Sequence, residues 1–218
     1  TSLRDRVRSY FAFTSVGINR GERIVQMLAL TTGVRYQRTD SVLEALLLES
    51  ALIKKHQPKY NAREKDDKSY WYVVITKEGY PRILMIRGQN LTQGSTLGNS
   101  KGRTFLISSA FGPFPHGTGL REALRLIRKI FPYRDKCKPL VGKQCFNAQI
   151  GLCPGVCMRA ITLAAYRRRI GHLKLLLAGR VRPLIIALTR EMRVAARHQD
   201  FEKSAELRNQ IRALKHIQ

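Results

Sequence analysis

Four cysteines, Cys137, Cys145, Cys153 and Cys157, fall within 21 residues of a 218-residue chain. Their pattern is C-x7-C-x7-C-x3-C, with Gly151, Pro154 and Gly155 supplying tight turns that let thiolates converge. Four thiolates complete a tetrahedral zinc site or hold a cubane iron–sulfur cluster. The gaps match neither the paired CxxC of a zinc ribbon nor the ferredoxin run, so spacing indicates a metal without naming it; the other reading is four core thiols acting as small hydrophobes. A second candidate is Glu49, whose helical neighbours Ala45, Leu46, Leu52 and Ile53 include no cation. A carboxylate in such a frame is costly to bury unless it holds a divalent ion or a partner from elsewhere, or else it lies at the stripe's margin and reaches water. Arg6 stands one turn before Tyr10, where a guanidinium could grip a phosphate bidentately beside a phenol donor; alternatively both belong to a solvated helix face.

The charge indicates what such groups would act on. Lys plus Arg number 40 against 15 Asp plus Glu, a net +25. The excess is segregated: residues 101–182 hold 17 basic residues and two acidic ones, Glu122 and Asp135, whereas residues 1–68 hold 13 against 8 and residues 183–218 hold 7 against 4. A polyanion relieves that self-repulsion and releases its own counterions on binding, so nucleic acid is the expected partner. With 44% hydrophobic residues the chain is too rich in core formers to be a disordered basic tail. Arg180 and Arg182 interrupt the longest apolar run, Leu173 to Leu188, so no membrane span is expected. The cysteine usage fits a reducing, cytoplasmic setting.

The elements that must position these groups follow from periodicity. Leu3, Val7, Tyr10 and Phe11 mark an amphipathic helix with Arg4, Arg6 and Arg8 on its other face. A short helix is expected over 23–30 and a strand over 34–38. Ser41 is placed to cap a helix striped by Leu43, Leu46, Leu47, Leu52 and Ile53 that ends before Pro58. Residues 70–76 and 81–86 read as a hairpin around Lys77, Glu78 and Gly79, residues 88–102 as a mobile loop, and 105–108 as another strand. A Gly-Pro-rich turn over 112–119 leads into a helix striped by Leu120, Leu124, Ile127 and Phe131. Beyond the cysteines come a helix over 161–177 and two shorter ones flanking His198, Gln199 and Asp200. Leu184, Leu188, Met192 and Ala195 line the first of these; Phe201, Ala205, Ile211 and Leu214 line the second, which Asp200 caps. Helices this short need a partner, either another protein or the preceding helix.

The strings LRDRVRSYF (3–11), EALLLESALIKK (44–55), PKYN (58–61), KDDKSY (65–70), FGPFP (111–115) and IGLCPGVC (150–157) occur in this order. Together they resemble the N-terminal nuclease half of UvrC proteins, a family within the UvrABC excision nucleases that carry out bacterial nucleotide excision repair. The resemblance covers nearly the whole chain. It implies an α+β chain: a truncated GIY-YIG-type nuclease domain over 1–87, a basic, Cys-rich helical region over 88–182, and a helical hairpin of the UVR type over 183–218. It implies that Glu49 binds Mg²⁺ or Mn²⁺, that Arg6 stabilises the phosphate, and that Tyr10 and Asn61 complete the catalytic set for incision 3′ to a lesion. Arg4, Arg8, Lys54, Lys55, Arg125, Arg128 and Lys129 are the expected contacts to damaged duplex DNA. The four cysteines correspond to those of a 4Fe–4S cluster, with zinc the alternative. DFEKSAELR (200–208) resembles the motif by which the family docks on its helicase-like partner UvrB, with Phe201 as anchor beside Ala205, Leu207 and Ile211. The family's tyrosine hairpin and the lysine after its second motif have no counterpart here, nor has its C-terminal nuclease half. The chain is therefore expected to be a fragment that binds DNA but cuts it poorly. A non-catalytic DNA-binding adaptor and a basic RNA-binding protein with a structural metal are the alternatives.

Overall fold

The computed structural model describes residues 3–11, 22–39, 42–60, 70–92, 96–98 and 104–217. The chain divides into two compact units: residues 1–38 with 58–65, and residues 39–57 with 66–218.

In the first unit, α1 (Leu3–Phe11) and α2 (Glu22–Ala29) form as their periodicity predicts. On α1 the half-buried side chains are Val7, Ser9 and Tyr10, while Leu3 and Phe11 face outward, so the apolar stripe is narrower than expected. The strand expected over 34–38 does not form. A strand needs a neighbour to accept its backbone hydrogen bonds, and among the described residues none pairs with this segment, which runs exposed and irregular.

The second unit is built on an antiparallel sheet of order β2-β1-β5-β4-β3. Its strands are β1 (Trp71–Thr76), β2 (Ile83–Arg87), β3 (Leu91–Thr92), β4 (Thr96–Gly98) and β5 (Thr104–Phe114). β1 is an interior strand between β2 and β5, and Val73, Val74, Ile75 and Thr76 are all inaccessible to solvent. Being covered on both faces, it reads as a continuous apolar run rather than an alternation. The hairpin at residues 77–82 pairs Trp71 with Arg87 and Ile75 with Ile83.

Two expectations are corrected here. Residues 88–102, read as a loop, include the β3–β4 hairpin, whose partner is β5. And β5 runs on through the supposed turn at 112–114, because its far end pairs with β1, Trp71 opposite Phe114. Gly112 makes that possible: it sits at φ +141°, and a Cβ there would lie 2.8 Å from the Tyr72 ring. One sheet thus joins residues on both sides of position 87, where a domain boundary was expected.

Helices cover this sheet: α3 (Val42–His56), α4 (Gly117–Ile130), α6 (Leu163–Leu177), α7 (Val181–Arg197) and α8 (Phe201–Ile217), with the single turn α5 (Phe146–Gln149) in the cysteine region. α3 buries Leu43, Leu46 and Ser50, whereas Leu52 is 44% exposed. The stripe therefore runs 43-46-50 rather than toward Leu52. Thr162 caps α6 by accepting from the Ala165 N–H at 3.2 Å, and Asp200 caps α8 by accepting from the Lys203 N–H at 3.1 Å. At 17 residues each, α7 and α8 are longer than the 15-residue α6, not shorter. They also find a partner within the chain: Leu184, Leu188, Leu207 and Leu214 enter the same core as Phe131, Tyr166, Leu173 and Ile127. Each fully buried leucine contributes about 1.5–3 kcal/mol, enough to dock the hairpin on α6. Gln210 ties it further by donating to the Ile130 carbonyl at 3.2 Å, and Arg169 pairs with Glu206 at 2.9 Å. No described helix is long and apolar enough to cross a membrane.

Candidate functional site

The cysteine region is cross-braced by backbone and side-chain hydrogen bonds. α4 ends at the buried Phe131, and the chain passes through Tyr133 and Arg134 to Cys137. Cys145 precedes the turn of α5, and Gly155, at φ +74°, feeds the 3-10 turn Val156–Met158 that carries Cys157. Backbone bonds from Leu140 to the Val156 carbonyl (3.1 Å) and from Gly142 to the Cys157 carbonyl (2.9 Å) bring the segments together. A Cβ on Gly155 would stand 2.7 Å from the Ala160 Cβ, so the turn needs glycine for space as well as for φ.

The Sγ atoms of Cys137, Cys145 and Cys157 lie within 4.8 Å of one another. The buried Cys153 stands outside this trio but close enough to interact with Cys137 and Cys145. Burial, and then the neighbouring thiols, push the Cys137 thiol up to about 12, and burial likewise raises Cys153. Burial also disfavours the Cys145 thiolate, but hydrogen bonds from the Ala148 N–H and the other thiols outweigh it and hold the group below its usual value. The raised Cys137 and Cys153 thiols, set beside the lowered Cys145, fit a donor set whose thiolates a bound cation would stabilise. Around tetrahedral zinc, adjacent sulfurs stand about 3.8 Å apart given ~2.3 Å bonds, so the trio needs only a small contraction to share an ion.

An outer layer that sequence reasoning missed holds the knot in place. The Arg128 guanidinium donates to Asp135 Oδ2 (2.8 Å) and to the carbonyls of Leu152 (2.8 Å) and Tyr133 (3.0 Å), and stacks over the Tyr133 ring at 4.9 Å. Asp135 Oδ1 accepts from Asn147 Nδ2 at 3.0 Å, and the Asn147 carbonyl accepts from the Cys153 N–H at 2.9 Å. Arg134 is 4% exposed; it reaches the Cys137 carbonyl (2.6 Å), Glu78 Oε2 (2.8 Å) and the Tyr80 carbonyl. Tyr166 donates to the Pro81 carbonyl (2.7 Å) and accepts from the Arg134 N–H (3.1 Å). Arg128, expected to contact DNA, directs three of its donors to these protein acceptors. The available signal was Asp135, one of two acids in a tract of 17 bases, which marks an ion pair.

The remaining expected residues fall on both units. Arg4 and Arg8 are exposed on α1, which also carries Arg6, with Tyr10 half-buried beside them. Glu49 is exposed on α3, and among the described residues no cation pairs with it. Lys54 and Lys55 are exposed in the last turn of α3, as are Arg125 and Lys129 on α4. Asn61, and the proposed cap at Ser41, lie outside the described residues. In the hairpin Phe201 is 70% exposed and Ala205 and Ile211 are half-buried. Leu207, expected at a partner surface, is instead 6% exposed and part of the core. Ile186 and Val194 are exposed apolar residues on α7 that the motif did not single out.

A mixed chain with a nuclease-type segment, a cysteine knot on a small sheet and a terminal helical hairpin matches three family descriptions in succession. Residues 1–62 match the UvrC-like GIY-YIG domain, 70–175 the UvrC/Cho excinuclease middle domain, and 184–217 the UvrB/uvrC motif. The chain belongs to the UvrC family. It is 40% identical over 217 residues to the UvrABC system protein C of Trichormus variabilis, covering 99% of this chain and 32% of the relative. It is 41% identical over 214 residues to that of Synechocystis sp., covering 97% and 32%. For the protein from Desulforudis audaxviator the figures are 38% over 220 residues, 99% and 33%. The chain thus spans about a third of the length of these relatives. No solved structure matches it.

Proposed function

We propose that the chain serves as a DNA-incising component of nucleotide excision repair, binding damaged duplex and hydrolysing a phosphodiester on the 3′ side with Mg²⁺ or Mn²⁺. The observation that carries this reading is the succession of three family matches, over residues 1–62, 70–175 and 184–217. In this reading Glu49 holds the divalent ion, which neutralises charge on the scissile phosphate when bound. Arg6 grips a nonbridging oxygen, and Tyr10 and Asn61 orient the phosphate and the attacking water. An exposed position suits Glu49, since the ion must face a DNA strand rather than the core. Arg4, Arg8, Lys54, Lys55, Arg125 and Lys129 supply sequence-independent backbone contacts.

Removing an outer-shell partner of a metal ligand typically costs 10–100-fold in affinity, so removing the ligand itself should cost at least about tenfold. The chain is expected to bind Mn²⁺ in the presence of duplex DNA, and Glu49→Gln to weaken that binding by this factor, as read by electron paramagnetic resonance. Equal Mn²⁺ affinity in the two proteins would refute the assignment of Glu49.

The four cysteines, on this reading, hold a 4Fe–4S cluster, with zinc as the alternative. The hairpin of α7 and α8 recruits a UvrB-like helicase. Phe201, exposed at the start of α8, is its anchor, with Ala205 and Ile211 beside it. Leu207 supports them from the core. Buried aromatic anchors of this kind carry about 2 kcal/mol or more in typical interfaces. Phe201→Ala should therefore weaken the complex by about 30-fold in a calorimetric titration while leaving DNA affinity unchanged; an unaltered complex would remove Phe201 from the interface.

A further inference from the structure

The second unit carries a cleft of about 320 Å³ between the β1–β2 turn, β5 and the middle of α6. Lys77, Arg167 and Lys174 line it together with Ser108, Pro81 and Ile170. None of these cations belongs to the metal knot or to the residues placed above against DNA.

Their positions are built. The Lys77 N–H donates to the Leu106 carbonyl of β5 at 2.7 Å, fixing the turn from which its side chain leaves. Lys174 Nζ donates to Ser108 Oγ at 3.1 Å, and Arg167 Nε reaches the Gly79 carbonyl at 3.4 Å. Three like charges lining one cleft repel one another, and among the described residues no carboxylate pairs with any of them. Glu78 borders the cleft, but its two oxygens are already bonded, Oε1 to Arg82 and Oε2 to Arg134. The cleft therefore holds an uncompensated excess of donors over acceptors, the arrangement that an anionic oxygen relieves. Among the described residues no aromatic ring lines it, so they offer no stacking platform for a base, and hydrogen bonds to phosphate oxygens are what remain. Its volume admits one backbone phosphate with its sugar, not a base-paired duplex.

We propose that this cleft seats a backbone phosphate of one DNA strand, held by Lys77, Arg167, Lys174 and Ser108. The inference rests on the repair reading for the identity of the polyanion and adds a DNA-binding point on the middle of the chain. Because it reads no base, this seat contributes affinity and register without sequence preference.

The test uses the whole chain and a short duplex of mixed sequence with a single-stranded tail. Removal of one phosphate-binding cation should lower the slope of log affinity against log salt by about 1. Arg167→Gln and Lys174→Gln are each expected to do so, and the triple variant with Lys77→Gln to bind roughly tenfold more weakly at ~0.1 M salt. Arg190→Gln with Arg193→Gln, on α7, removes charge elsewhere and should change affinity less than about twofold, since neither cation lines the cleft. Circular dichroism establishes that the variants fold. Independently, bound DNA should protect Lys77 and Lys174, but not Lys215, from acetylation. If the cleft variants and the α7 variants lose affinity equally, or if Lys77 and Lys174 acetylate at unchanged rates, the cleft is not a phosphate seat. If the unaltered chain fails to bind DNA at all, the repair reading falls with it, a result separable from wild-type binding with unaffected cleft variants.

Discussion

Arg134→Met is expected to destabilise the second unit by about 3 kcal/mol, the lower end of what breaking a buried ion pair costs. The side chain is 5% exposed and its Glu78 partner 27%, so the carboxylate recovers some hydration when the guanidinium leaves. Burial alone would raise the Glu78 carboxyl, but hydrogen bonds and charge from Arg134 and Arg82 outweigh it and hold the group below the ordinary carboxylate range. Methionine fills much of the same volume, so the loss reports the polar bonds rather than a cavity. Three acceptors are orphaned at once: Glu78 Oε2, the Tyr80 carbonyl and the Cys137 carbonyl. Arg134→Lys should recover little, because one ammonium cannot span acceptors that the guanidinium reaches through separate nitrogens. Glu78→Gln should cost less than either, since an amide oxygen still accepts. Urea denaturation followed by far-UV circular dichroism gives the ranking, and a methionine variant as stable as the parent would show that the clamp contributes nothing. The pH dependence has a definite sign. A carboxyl depressed by folding contributes stability that is present above its unfolded value of 4.5 and is lost as pH falls through the folded one. The parent should lose stability in that acid range more steeply than Glu78→Gln.

That clamp was invisible in the sequence because its residues are 56 positions apart and nothing local marks them. What was legible were features with short-range causes. The helices α4, α6, α7 and α8 each repeat apolar residues at helical spacing, and the hairpin of β1 and β2 has β-branched runs around Lys77, Glu78 and Gly79. The errors came where tertiary contact overrode local preference. β5 continues past a Gly-Pro sequence because β1 supplies partners there, and residues 88–102 contain strands because β5 offers an edge. Ser50 is buried and Leu52 exposed because α3 presents to the sheet a face that its leucines alone do not define.

The candidate site divides the same way. Convergence of cysteines could be read from glycine and proline at the turns, and three of the four thiols do cluster. Arg128 looked like one more cation on a basic helix, and only its geometry against Asp135 and two carbonyls reveals a brace. Leu207 lies inside a motif associated with docking, yet a motif string does not say which side of a helix faces the core. Arg167 and Lys174 lie two turns apart on α6, but Lys77 is far from them in the sequence and meets them only because α6 packs beside the β1–β2 turn.

Cys157→Ser is expected to abolish metal retention and to loosen the region from Cys137 to Met158, the largest effect any single substitution in this region should have. Structural metal sites of four cysteines contribute about 10 kcal/mol or more of folding free energy where the surrounding chain has little core of its own. Here the loss should be smaller and local, because Tyr133, Val156 and Tyr166 anchor the knot to the main core. The serine hydroxyl cannot supply the thiolate, and Cys157 Sγ also accepts from the Cys145 N–H at 3.3 Å, so the substitution disturbs that turn as well. Cys153→Ser separates the two contributions, since Cys153 lies outside the close trio: equal metal loss in both variants means that all four thiols ligate. Metal analysis of protein prepared without oxygen identifies the ion. A brown protein with broad visible absorption that chelation bleaches carries an iron–sulfur cluster, and a colourless one with stoichiometric zinc carries the alternative. Retention of the parent's metal content by Cys157→Ser would mean that the clustered thiols are packing groups. The bracing by Arg128, Asp135 and Asn147 would then serve only to fold the loop.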